Sequence, residues 1–110
     1  MGNKHRGAVD VDLGDGRMRR VRFTMNAVAE IEEHFGKPVQ IVFETENIKN
    51  LGANDFMKII ACGLRGGGDA SVNEKSLGDV IDFQDMPGIL QVMMGALVAA
   101  TAGGQTQPGK

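Results

Sequence analysis

Tryptophan and tyrosine are absent from the 110 residues, and five phenylalanines are the only aromatics. A core must therefore be built from aliphatic side chains and methionine, of which there are seven. Recognition of single-stranded nucleic acid by stacking has little to work with. One cysteine, Cys62, excludes an internal disulfide. The opening MGNKHRGAVD lacks the apolar run of a secretory signal, so a reducing, cytoplasmic setting is expected. Only one histidine besides His34 exists, the distant His5, which leaves a metal site short of its commonest ligand.

What is present describes one domain. A chain of this length buries roughly two thirds of its unfolded surface without disulfides or metals. Residues 1–102 are expected to form that domain, with GGQTQPGK, 103–110, as a flexible tail. Charge is divided unevenly: residues 1–24 hold six Lys/Arg against three Asp/Glu, and residues 25–110 hold six against eleven.

The segment GAVDVDLGDGRMRRVRF carries a period-two pattern. Val9, Val11 and Leu13 share one face with Val21 and Phe23, and Asp15-Gly16 supplies the turn of a β-hairpin. Arg20 and Arg22 then point away from the core, where they can face Asp10 or Asp12 across the ladder. A nucleic-acid patch on these arginines would want interleaved aromatics, and there are none.

Thr24 predicts the N-cap of a helix running to about Phe35, with Val28, Ile31 and Phe35 as its apolar stripe and Gly36 as its stop. Within it, EIEEHFGKP gathers three carboxylates and a histidine. Glu30 and His34 are four apart and would share a helix face, a spacing that metal ligands can use. The acids lie off the apolar stripe, however, and His34 in the last turn suits the helix dipole. The cluster therefore reads as a helix end, and no metal, catalytic residue or cofactor is expected.

Pro38 can open a short helix to about Glu44, followed by a polar loop, ETENIKNLG. Asn54 or Asp55 is expected to cap an apolar helix carrying Phe56, Ile59, Ile60 and Leu64, with Cys62 as a small buried hydrophobe. RGGGDASVNE lacks the Gly-Lys-Ser/Thr of a phosphate loop and reads as a linker. Ser71 with Glu74 suggests a capping box before Leu77, Val80 and Ile81.

The final element carries no charge from Met86 to Gly109. Leu90, Met93, Met94, Leu97 and Val98 recur at helical spacing, and Gly95, Ala96, Ala99 and Ala100 form the other face. Only five large aliphatics lie in this window, too few for a membrane span. A helix apolar nearly all round is expected to meet protein on both sides. Its Leu90/Met94/Leu97 side would face the core, and Met93, Gly95, Ala96, Ala99 and Ala100 are the candidate partner-binding residues. The fold class is α+β: an N-terminal hairpin followed by a bundle of four to five mostly short helices.

The run R-F-T-x-N-A-x-x-E-I-E-E-x-x-G-K-P, Arg22 to Pro38, and C-G-L-R, Cys62 to Arg65, resemble tail proteins of gene transfer agents and related long-tailed phages and prophages. That family is grouped with phage tail assembly chaperones and is also labelled a tail tube protein. The resemblance covers most of residues 7–100. It implies a non-enzymatic protein in the bacterial cytoplasm that binds the tape-measure protein or tail-tube subunits, with self-association as a further outcome. A structural tail-tube or minor tail component is the alternative. A small nucleic-acid-binding regulator using Arg17, Arg19, Arg20 and Arg22 is a second alternative, and its binding would weaken steeply with salt.

Overall fold

Alternating side chains in AVDVD and MRRVR build the expected hairpin. A computed structural model describes the backbone of residues 8–105 and the side chains of residues 8–100. Strands β1 (Ala8–Asp12) and β2 (Met18–Arg22) pair antiparallel, with Val9 opposite Val21 and Asp10 opposite Arg20. Val11, Leu13, Val21 and Phe23 are buried while Arg20 and Arg22 are exposed. The Asp12 carboxylate accepts the Gly14 and Gly16 N–H groups at 2.8 and 3.1 Å, so it shares the turn with Asp15-Gly16.

Helix α1 (Met25–Phe35) begins and ends where its signals place it. Thr24 accepts the Ala27 N–H at 3.2 Å. Gly36 stands at φ 71°, and its N–H donates to the Glu32 carbonyl at 2.8 Å. Only glycine adopts that left-handed geometry at little cost. The inward face is Ala27 and Ile31, with Val28 and Phe35 half-buried beside them.

Several boundaries differ from the sequence reading. Helix α2 is Val39–Val42 and buries Val39 and Val42, leaving Ile41 partly exposed. The segment read as a polar loop contains helix α3, Thr45–Lys49, whose half-buried Ile48 packs on the core. Helix α4 runs Ala53–Gly66 with Gly52 at its N-cap, two or three residues before the expected Asn54 or Asp55. Asn73, and not Ser71, caps helix α5 (Glu74–Gly78) by accepting the Ser76 N–H at 2.9 Å. Ser71 instead bonds the Asp69 carboxylate, from its N–H at 3.2 Å and its hydroxyl at 2.8 Å. Because a short Asx or Ser turn satisfies the same local donors, such sequence signals compete with true caps. Val80 and Ile81 follow after α5 has ended.

A 3-10 turn (Phe83–Asp85) leads into helix α6, Met86–Gln105. Residues 103–105 thus belong to α6, and the rest of the expected tail lies outside the described residues. The hairpin sits between two long helices, with α4 packed on β2 and α6 packed on β1. Phe56, Ile59, Ile60, Ala61, Cys62 and Leu64 of α4 are almost wholly enclosed. Phe23 meets Phe43 edge-on, ring centroids 6.2 Å apart. Among the described residues no polar or charged side chain is fully buried.

Three glycines set the closeness of α4 and β2. A Cβ on Gly63 would lie 2.7 Å from Val21 Cγ1. On Gly66 or Gly67 it would run into the carbonyl oxygen of Arg22 or Arg20, well under the 3.0 Å that real Cβ atoms respect. Gly67 sits at φ −82°, an ordinary helical value, so space and not dihedral freedom requires glycine there. The stretch read as a linker is therefore, in its first half, a packing surface.

Candidate docking surface

The charged residues that drew attention in the sequence are tied into the fold. Glu30 bonds Arg65 Nη2 at 3.3 Å and receives the Cys62 Sγ–H at 3.6 Å. Glu32 Oε2 accepts the Val39 N–H at 2.8 Å, linking α1 to α2. His34 Nε2 lies 2.9 Å from Asp55 Oδ1, and its ring stands edge-on to Phe35 at 4.8 Å. Glu30 thus reaches the far end of α4 and His34 its near end, which fixes the two helices antiparallel. Burial, helped by the Glu30 carboxylate, pushes the Cys62 thiol up to about 11. A thiol so raised is a poor nucleophile. No group of three His, Cys, Asp or Glu side chains that could hold a metal ion occurs among the described residues.

The arginine strand is likewise engaged. Arg19 forks onto Asp15, with Nη1–Oδ1 2.9 Å and Nη2–Oδ2 2.7 Å. That guanidinium holds the Asp15 carboxyl well below the usual carboxylate range. Arg20 lies opposite Asp10. Arg65, half-buried, also donates to the Val72 carbonyl at 3.1 Å, pinning the loop before α5.

Apolar surface, by contrast, is left over along α6. Its buried side is Ile89, Leu90, Met93, Ala96 and Leu97. Two of the five expected partner-binding residues, Met93 and Ala96, are enclosed by the chain itself and present no surface in this conformation. Gly95 is exposed, and Ala99 and Ala100 are half-buried. Met94, expected in the core, is only half-buried. Leu90 and Leu97 face inward as expected, but the enclosed side is centred nearer Met93, which leaves Met94 on the flank.

Two apolar clefts flank this helix. One, about 690 Å³, is walled by Ile48, Phe83, Met86, Pro87, Leu90 and Met94. The other, 400 Å³, lies at the opposite end of α6 between Phe23, Met25, Val28, Val39 and Ala100, with Glu32 and Gln40 on its rim. Met25 is 84% exposed and Phe83 83% exposed, and each stands in the wall of one cleft. Sequence reading passed over both residues because neither belongs to a predicted stripe. That exclusion was itself the available signal: a large apolar side chain off every core face has no partner within its own helix. No helix among the described residues is long and apolar enough to cross a membrane.

A family model described as "Phage tail tube protein, GTA-gp10" matches residues 6–103. No curated protein and no solved structure matches the chain.

Proposed function

Because the chain belongs to the phage tail tube protein, GTA-gp10 family, we propose that it acts in tail assembly as a non-enzymatic chaperone that holds another tail protein through the Met25–Ala100 cleft. The observation that carries this reading is the unsatisfied apolar surface at that cleft, where a nearly fully exposed methionine stands beside half-buried Val28 and Ala100. Methionine is unbranched and polarizable, which suits a surface that must accept an apolar segment of a not yet assembled partner. The partner is the tape-measure protein or the tail-tube subunit, met in the bacterial cytoplasm before polymerisation. The ionisable groups singled out in the sequence, Glu30, His34, Cys62 and Arg65, are bonded to one another or to Asp55.

A second reading, a structural tail-tube component, is favoured by the wording of the family description. A tube subunit of that kind would be expected to offer more sheet than one hairpin packed between α4 and α6. Co-expression with a tail-tube and a tape-measure protein, followed by affinity capture, separates the two. The chaperone reading expects a soluble complex with one of them that is lost in Met25→Glu. That variant keeps the fold, because residue 25 is exposed and an acid in the first turn suits the helix dipole. Purified chain that polymerises alone into tubes would establish the second reading instead.

A further inference from the structure

The geometry points to a two-fold homodimer in which Phe83 of each copy enters the large cleft of the other, with Asp82 of one copy meeting Lys49 of its partner. This inference is independent of the proposed chaperone role, because its cleft lies at the opposite end of α6 from Met25 and Ala100.

Shape comes first. Phe83 projects from the 3-10 turn and forms a ridge between two depressions. On one side is the 690 Å³ cleft; on the other is a 170 Å³ hollow lined by Ala53, Phe56, Met57, Ile81 and Met86. A ridge bordered by a groove large enough for a ring is complementary to a second copy of itself. An isologous pairing uses the same patch twice, so both phenyl rings are covered and the contact closes at two. The cleft is within the 300–1,000 Å³ range of sites that accept a sizeable apolar group.

Charge then selects the occupant. Lys49, at the end of α3, stands on the wall of the cleft and is its one charged lining residue. Asp82 immediately precedes Phe83. Both are exposed, and neither makes an ion pair within the chain among the described residues. Seating Phe83 in the partner's cleft carries Asp82 to the rim where the partner's Lys49 stands, and the two-fold axis repeats the pair. The chain thus supplies both the knob with its acid and the hole with its base. An unrelated apolar segment would have to bring that acid at the same spacing.

The size of the contact sets its strength. A phenylalanine ring buries about 150–250 Å², so two rings and the walls they cover remove on the order of 600–900 Å² from water. Stable specific interfaces begin near about 1,200 Å². The pair is therefore weak and reversible, and its ion pairs are screened by salt.

Sedimentation equilibrium of the full chain across a wide concentration range tests this. The expected result is a monomer–dimer equilibrium, weakened at least tenfold by Phe83→Ser and measurably by 0.5 M salt. Gln91→Arg, which places a bulky charge on an exposed wall position of the cleft, should do the same and guards against a folding effect of the first variant. Asp82→Lys and Lys49→Asp should each weaken dimerisation, and the two together should restore it. A chain that stays monomeric throughout overturns the inference, as does a dimer insensitive to Phe83→Ser and Gln91→Arg, assembly beyond two copies, or a double swap that fails to restore pairing. Capture of another tail protein at this cleft by a strictly monomeric chain would likewise replace the second copy as its occupant. Met25→Glu should leave the dimer intact, so loss of partner capture and loss of dimerisation report on different readings.

Discussion

Replacing Gly66 by alanine tests how the hairpin and α4 are held together. In an isolated helix the change would stabilise, because alanine is the better helix former by about 1 kcal/mol. Here the added methyl would collide with the Arg22 carbonyl, a backbone atom that cannot rotate aside. Relief requires α4 and β2 to separate by roughly 1 Å, and a gap of that size forfeits a quarter to a half of each dispersion contact across the seam. The contacts affected include Val21 and Phe23 against the α4 face, among the most deeply buried in the protein. Overpacking of this kind costs about 1–3 kcal/mol, and the rigid obstacle places it at the upper end. Net of the propensity gain, a loss of about 2 kcal/mol is expected. For a domain of this size that corresponds to a fall in Tm of roughly 8–16 °C. Urea denaturation and calorimetry measure it, with Gly95→Ala as the control. Gly95 has no atom within 4 Å of a built Cβ and lies inside α6, so there alanine should raise stability by about 0.5–1 kcal/mol. If Gly66→Ala proves as stable as the unmodified protein, the close backbone approach is not what holds this seam, and the account of the glycine run is wrong.

Gly36→Val should destabilise by about 2 kcal/mol, since a β-branched residue is forced to φ 71°, whereas Gly36→Asn should cost clearly less; chemical denaturation of both variants checks the order. Met93→Glu should leave the chain unfolded by circular dichroism, because it buries an unpaired charge, while Gly95→Glu on the exposed side should keep the native spectrum. Cys62 carries a pH signature. Burial raises its folded-state value from 9.0 to about 11, so the folded thiol keeps its proton where the unfolded one has lost it. Its contribution is complete below about pH 9 and is lost as pH rises toward 11, on the order of 2 kcal/mol in all. Cys62→Ala should remove that part of the alkaline decline in denaturation midpoints, and a thiol reagent at pH 8 should modify the native protein far more slowly than the unfolded one. Equal labelling rates for the two states would refute the burial.

Local chemistry decided the hairpin and both ends of α1, though not the N-caps of α4 and α5. The alternation from Val9 to Leu13 and from Val21 to Phe23 dictates the hairpin, and Thr24 with Gly36 dictates both ends of α1, because capping hydrogen bonds and a left-handed glycine act within a few residues. The apolar spacing of Phe56, Ile59, Ile60 and Leu64 likewise marks the buried face of α4. What lay beyond the sequence was settled by contacts between distant residues. Thr45–Lys49 looked like a polar loop because one turn of helix has almost no periodicity to display; packing of Ile48 on the core orders it. Gly66 and Gly67 looked like a linker because a glycine needed for room is indistinguishable in sequence from one needed for flexibility. On α6, apolar nearly all round, spacing places Leu90 and Leu97 inward but cannot choose between the flanks, and the hairpin and α4 make that choice by enclosing Met93 and Ala96 and leaving Gly95 outside. The clefts at its two ends follow from the same cause, since they exist only where three elements stop short of one another.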